Sequence, residues 1–385
     1  MRPQLHLTAP AGWINDPNGL VFKEGKFHFY YQHNPSGTKW GNIHWGHAES
    51  TDLLSFTDTG DVLYPDENGM MYSGSAILDK DGRAGFGENI IIYFYTAMGK
   101  KGVQCVAYSK DGRTLNKHSV VLDTIVSENR DPKVIFHPES GYFIMALYLT
   151  GFEFAILRSK DCLSWELLQR FTCEGMRECP DFYRLGDDWV FSSAQGYYLI
   201  GKFDGCRFTP ESERLCLYAK SSTPYAAQTF SGLPDRVLNV AWFSSGIDSE
   251  PWYGMLTLPT ELRISDTPYG KRLCCGFAGE ITQRFTPICE KGVLSVTENC
   301  PFALEIDCDG TEKEVTINIR DIEITLDTEY PIPHKLTVIA DYGVIEAIGK
   351  DGTYYSVQAL NTDDLSGVIN LTGASAEKAR VYYIK

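Results

Sequence analysis

The sequence predicts an all-β chain, a five-bladed β-propeller followed by a small β-sandwich. Three observations predict it. Helical periodicity is nearly absent, and short runs alternating aromatic and aliphatic residues recur between polar turns. A turn motif returns along the first part of the chain at a spacing near the ~40–50 residues of a four-stranded blade. Beyond Arg263 the motif fades, and regular alternation replaces it.

The strands come first. KFHFYY at 26–31, IIIYFY at 90–95, YFIMAL at 142–147 and WVFS at 189–192 are rich in residues that fit a pleated, half-buried surface. Aromatics reach 13%, and 35 Gly with 18 Pro supply the many turns such strands need. Most of these rings belong in the core.

The turn motif is STDLLSF at 50–56 and SKDCLSW at 159–165, with looser copies SKDGRTL at 109–115 and KFDGCRF at 202–208. In each, an Asp (Asp52, Asp111, Asp161, Asp204) is placed to bond nearby backbone N–H groups, and a large apolar residue four positions on anchors the next strand. With further strands around 241–243 and 254–258, the count suggests about five blades. Tandem β-sandwiches are the alternative that strands alone allow.

From about Gly279 the chain reads differently. KEVTINI at 313–319 and KLTVIA at 335–340 alternate strictly, punctuated by Asp309-Gly310 and Asp351-Gly352. The predicted division is residues 1–278 for the propeller and 279–385 for the sandwich.

Composition narrows the function. The formal net charge of -15 repels phosphate backbones, which argues against nucleic acid as a partner. No run approaches the roughly 20 apolar residues of a membrane helix, and MRPQLHLTAP has no apolar signal region. The 11 Cys follow no framework spacing, so reduced cysteines in a cytoplasmic protein are expected. Oligomeric state is not legible. His28, His33, His44 and His47 are expected to pack or hydrogen-bond, and no metal is expected.

Three acidic segments carry the chemistry. WINDPNG at 13–19 and NRDP at 129–132 each hold an Asp before Pro, which favours an extended backbone at Asp16 and Asp131. Arg130 stands ready to hold a carboxylate ionised. RECPD at 177–181 places Glu178 ahead of a Pro-fixed strand. Each alone is equally a turn, an ion pair or a surface acid. Together they lie near the starts of different repeats, and a propeller turns the first strand of every blade toward one channel. Two carboxylates and a third polar anchor are what glycoside hydrolysis requires. Neighbouring carboxylates raise one another's pKa, so the pair is expected to keep Glu178 protonated.

WINDPNG, RDP at 130–132 and Glu178-Cys179 resemble glycoside hydrolase family 32, the invertases, inulinases, levanases and sucrose-6-phosphate hydrolases. YQHNP at 31–35, WGNIHWGHA at 40–48 and YSGSA at 72–76 look like further motifs of that family. The resemblance implies the same propeller and sandwich, and no cofactor. It implies Asp16 as nucleophile, Glu178 as acid/base and Asp131 as the group that binds fructose hydroxyls and stabilises the transition state. It implies a fructose pocket lined by Trp13, Asn15, Gln32, Trp40, Tyr72, Ser73, Arg130, Cys179 and Trp242. Tyr72 departs from the usual Phe, and the C-terminal segment is shorter than is usual. The expected activity is release of terminal β-fructosyl groups from sucrose, fructo-oligosaccharides or fructan. The alternatives are a sucrose-6-phosphate hydrolase, with Arg177 and Lys133 as available cations, a fructosyltransferase, or a non-catalytic fructoside-binding protein.

Overall fold

The four Asp turns form as the sequence implies. Asp52 Oδ1 accepts the N–H groups of Leu54 and Ser55 at 3.0 and 2.7 Å, and Asp111 Oδ1 those of Arg113 and Thr114 at 2.9 and 2.8 Å. Asp161 Oδ1 accepts from Leu163 and Ser164, both at 2.9 Å, and Asp204 Oδ1 from Cys206 and Arg207 at 2.8 and 2.7 Å. Each turn joins the third and fourth strands of one antiparallel sheet. Eight backbone donors are thereby satisfied where the chain reverses, without help from the core.

The computed structural model describes residues 1–384 apart from 221, 247–249, 289–291 and 320–321. Gly12–Lys23, Lys26–Asn34, His44–Ser50 and Thr57–Leu63 make the first blade. Met70–Asp79, Ile90–Met98, Gly102–Ser109 and Asn116–Leu122 make the second. Arg130–His137, Tyr142–Thr150, Glu153–Ser159 and Glu166–Thr172 make the third. Asp181–Leu185, Asp188–Ser192, Tyr197–Phe203 and Phe208–Pro210 make the fourth. The fifth pairs Pro224–Thr229 with Val237–Gly246, then Thr260–Thr267 and Gly270–Phe277. The fold is a five-bladed propeller followed by a β-sandwich.

The ring closes through a short extra strand. Trp252–Leu256 pairs antiparallel with Val237–Gly246 and parallel with Gly12 and Trp13 of the first blade. Gly254 lies at φ 86 beside this junction, and a Cβ there would collide with the Ile14 carbonyl oxygen and crowd the Trp242 indole nitrogen. Only glycine allows that approach.

A one-turn helix, Gly279–Thr282, leads out of the last blade. Beyond it lie a six-stranded sheet built on Phe302–Cys308, His334–Asp341, Gly343–Gly349 and Tyr354–Leu360, and a four-stranded sheet built on Glu314–Ile319 and Ile322–Asp327. Leu304, Val338, Ile317 and Ile345 fill the space between these sheets. A second core runs without interruption from the fifth blade into the sandwich, through Leu258, Cys275 and Phe277 to Ile339, Val344 and Tyr355. No helix among the described residues is long and apolar enough to cross a membrane.

The N-terminal segment is fastened to the sandwich by a buried charge cluster. His6 Nδ1 lies 2.8 Å from Asp341 Oδ2 and His6 Nε2 lies 3.0 Å from Glu346 Oε1. The N–H groups of Leu5 and Leu258 add to these two oxygens, and the Gln4 and Tyr342 N–H groups and the Tyr355 hydroxyl satisfy Asp341 Oδ1 and Glu346 Oε2. Burial pushes the His6 pKa down, but its bonds to Asp341 and Glu346 outweigh this and raise it to about 9. The stabilisation is therefore fully present below the unfolded histidine value near 6.5 and is lost as the pH rises through about 9. His6→Ala leaves two buried carboxylates without their cation and is expected to cost roughly 3–5 kcal/mol. Urea unfolding near neutral pH measures this. The wild type should also lose stability between neutral and alkaline pH, whereas His6→Ala should show a flatter profile. An unchanged midpoint in the variant contradicts this account.

Candidate active site

Five first strands deliver the polar groups. Asp16 lies on Gly12–Lys23, Ser73 on Met70–Asp79, Asp131 on Arg130–His137 and Tyr225 on Pro224–Thr229, and Glu178 immediately precedes Asp181–Leu185. They converge on a cavity of about 510 Å³. All three predicted acids and Trp13, Asn15, Gln32, Trp40, Tyr72, Ser73, Arg130, Cys179 and Trp242 line it. Met98, Ser127, Glu128 and Tyr225 line it too, and sequence reasoning did not select them. Tyr225 had a usable signal, because Pro224-Tyr225 opens a first strand as the other acidic segments do.

A chain of hydrogen bonds holds Asp16. The Trp13 indole donates to Asn15 Oδ1 at 2.7 Å, and Asn15 Nδ2 donates to Gln32 Oε1 at 2.8 Å and to Asp16 Oδ1 at 3.1 Å. Gln32 Nε2 donates to Ser73 Oγ at 2.6 Å, and Ser73 Oγ donates to Asp16 Oδ2 at 2.5 Å. The Cys179 thiol adds a bond to Asp16 Oδ2 at 3.3 Å. Burial outweighs these donors and raises the Asp16 pKa. The carboxylate is thus oriented and made more basic at once.

Asp131 and Glu178 depart from what the sequence suggests. A residue before proline favours an extended backbone, yet Asp131 lies at φ 62. Glu178 at φ 51 and Cys179 at φ 39 are also left-handed. Strain of this kind persists only where its surroundings enforce it. Here the Asp131 N–H bonds Thr96 Oγ1 at 3.0 Å, and Asp131 Oδ2 accepts the Cys179 N–H at 3.1 Å. These bonds turn both carboxyl groups inward.

The expectation that Glu178 is held protonated is corrected. Burial pushes its pKa up, but the Tyr225 hydroxyl at 2.5 Å and Arg130 Nη2 at 2.6 Å outweigh this and leave it below the usual carboxylate range. Asp131 rises as Asp16 does, lifted by burial to about 7 against the pull of Arg130. Arg130 thus pulls on both carboxylates, bonding Glu178 at 2.6 Å and facing Asp131 at 3.7 Å, and burial outweighs it only at Asp131. Its guanidinium also stacks over the Tyr148 ring at 4.5 Å, which fixes the fork.

Aromatic rings wall the pocket. Trp13 stacks on Tyr253 at 4.9 Å and 3°, and meets Trp242 at 5.5 Å. The strand that closes the ring brings these three together. Trp40 meets Tyr72 edge-on at 6.0 Å across the cavity's lining, and is 50% exposed. Sugar faces suit such surfaces.

Lys133 is not at the pocket rim. Its Nζ is buried in the channel, bonded to the Thr229 carbonyl and hydroxyl at 2.8 Å and paired with Asp181 at 2.9 Å. The histidines also lie apart from the lining. His33 bridges Asp61 and the Ala11 carbonyl, at 2.5 and 2.9 Å. His44 Nδ1 bonds the Asn42 carbonyl at 2.7 Å. His28, His47 and Glu49 have the spacing to hold a metal ion. Glu49, however, is already bonded by Arg113 through two nitrogens and by Lys26 at 3.0 Å. The two rings stack with His28 Nδ1 and His47 Nε2 at 3.1 Å. Hydrogen-bonded packing accounts for the cluster.

The propeller thus gathers three carboxyl groups and a guanidinium in one cavity walled by aromatic rings. Residues 6–275 match the family model of the glycosyl hydrolases family 32 N-terminal domain, and the chain belongs to that family. It is 33% identical over 313 residues to the levanase of Bacillus subtilis (strain 168), covering 71% of this chain and 46% of the levanase. It is also 33% identical over 307 residues to the extracellular exo-inulinase inuE of Meyerozyma guilliermondii, covering 69% of this chain and 59% of that protein. The chain thus spans about half the length of these relatives. The crystal structure of exo-inulinase from Aspergillus awamori superposes with a TM-score of 0.88 at 22% identity, covering 100% of this chain and 98% of that one. That likeness concerns the fold.

Proposed function

We propose that this chain is a retaining glycoside hydrolase that releases terminal β-D-fructofuranosyl residues from sucrose, fructo-oligosaccharides or fructan of the inulin or levan type. The observation that carries this is the convergence of Asp16, Asp131 and Glu178 on one aromatic-walled pocket in a family 32 chain.

Asp16 attacks the anomeric carbon and forms a fructosyl ester. The Asn15–Gln32–Ser73 chain keeps its carboxylate from rotating away. Glu178 donates its proton to the leaving oxygen, then takes one from the water that hydrolyses the ester. Asp131 bonds fructose hydroxyls and stabilises the positive charge that develops on the ring. Tyr225 and Arg130 favour the ionised Glu178, the form that activates water. The first step needs the protonated form, so activity should decline as Glu178 loses its proton.

Tyr225→Phe removes one bond that lowers the Glu178 pKa. The profile of kcat/KM against pH is expected to move to higher pH. A shift to lower pH, or none, means that Tyr225 does not tune this acid.

The function itself is tested by incubation with sucrose, sucrose 6-phosphate, kestose, inulin and levan, with free fructose and longer products quantified. Fructose is expected from at least one substrate. Its absence from all of them sinks the proposal, and dominant longer products point to transfer instead.

A further inference from the structure

The charges around the cavity are unequal. Asp16, Asp131, Glu178 and Glu128 line it, and Arg130 is the cation among the described lining residues. Arg130 is already committed. Its Nη2 bonds Glu178 at 2.6 Å, its Nη1 bonds the Glu128 carbonyl at 2.8 Å, and its face covers Tyr148. The cations that the sequence offered stand elsewhere. Arg177 lies outside the lining with its guanidinium over the Phe152 ring at 4.9 Å, although its charge reaches Glu178, and Lys133 is buried on Asp181.

Glu128 differs from the other three carboxyl groups. It is exposed, and one of its oxygens accepts the Thr150 hydroxyl at 3.1 Å. It belongs to the segment that leads into Arg130–His137, beside Ser127. The fructosyl ring must sit against Asp16, which is half-buried, and Asp131, which is buried. The leaving group must lie on the side of Glu178, toward the open end of the cavity. Glu128 is the exposed carboxylate among the described lining residues, the one open to solvent there.

A phosphate monoester carries about -1.5 to -2 charges near neutral pH. Placed in this mouth, it faces carboxylates with no uncommitted cation among the described lining residues, so it is repelled. A neutral sugar meets the opposite situation, since a carboxylate is a strong acceptor for its hydroxyls. The net charge of -15 adds a long-range term of the same sign. We propose that the cavity selects uncharged leaving groups and rejects phosphorylated ones, with Glu128 as the rim carboxylate that sets the discrimination. This rests on the fructosidase reading above and narrows it to unphosphorylated fructosides.

The test compares kcat/KM for sucrose and for sucrose 6-phosphate on the full chain. The wild type is expected to prefer sucrose by about tenfold or more. Glu128→Lys should narrow that ratio severalfold or invert it, and Glu128→Gln should narrow it less. Using a ratio cancels any loss common to both substrates. On the wild type alone, raising the salt concentration should narrow the ratio, because repulsion at an open mouth is screened. A wild-type ratio at or below one, a ratio that neither Glu128 variant moves, or a ratio insensitive to salt overturns the inference and leaves the fructosidase standing. Failure to release fructose from sucrose, inulin and levan alike overturns the fructosidase, and this inference with it.

Discussion

Asp16→Asn is expected to lower kcat/KM by at least ~10³-fold on every fructoside that the wild type cleaves. An amide cannot form the fructosyl ester. The loss should be one of turnover rather than of binding. Asn15, Gln32, Arg130 and Asp131 remain in the cavity lining. The variant keeps an acceptor for Asn15 but presents an NH₂ group where Ser73 and Cys179 now donate. The Ser73 hydroxyl can rotate to accept from it, so the local fold should survive. Titration with fructose should then give an affinity within a few-fold of wild type. Near-normal turnover in a variant of unchanged melting temperature contradicts the nucleophile assignment. Equal inactivity of wild type and variant, with binding retained by both, means the protein only binds fructosides.

Glu178→Gln is expected to lose ~10²–10⁴-fold on sucrose, and far less on a fructoside whose leaving group needs no proton. Glutamine keeps its amide oxygen as acceptor for Arg130 Nη2 and presents its NH₂ to the Tyr225 hydroxyl, which can rotate to accept, so the pocket should hold its shape. What it lacks is the transferable proton. The second step suffers too, because water loses its base. Azide needs no base and should restore turnover, giving a fructosyl azide of retained configuration. Equal losses on activated and unactivated substrates contradict a role in proton donation.

The propeller was legible because its repeat rests on local physics. An Asp that bonds two backbone donors writes itself into the sequence as a fixed offset, and all four such turns form. The fifth blade was faint for a physical reason. The turn of its last hairpin is short, and Thr267 takes the place of Asp there by accepting the Tyr269 N–H at 3.1 Å. The ring closure was invisible, since it rests on two parallel partners far apart in the chain, Gly12–Trp252 and Trp13–Tyr253.

The acids were legible as residues but not as charge states. Asp131 carries the proline signal for an extended backbone, and tertiary bonds from Cys179 and to Thr96 override it. Proximity of carboxylates suggested a protonated Glu178. The side chains that decide otherwise come from other blades, Arg130 from the third and Tyr225 from the fifth. Glu128 was missed because an exposed Glu beside a recognised motif has no pattern of its own.

The central claim is that Asp16 bonds covalently to fructose while Glu178 moves the proton. The most direct measurement is rapid quenching of the Glu178→Gln protein with an activated fructoside, followed by peptide mass analysis. The account predicts one added anhydro-hexose unit on the peptide that holds Asp16, formed faster than it decays and removed by azide. An adduct on the Asp131 peptide contradicts it, as does steady turnover with no adduct on any carboxylate.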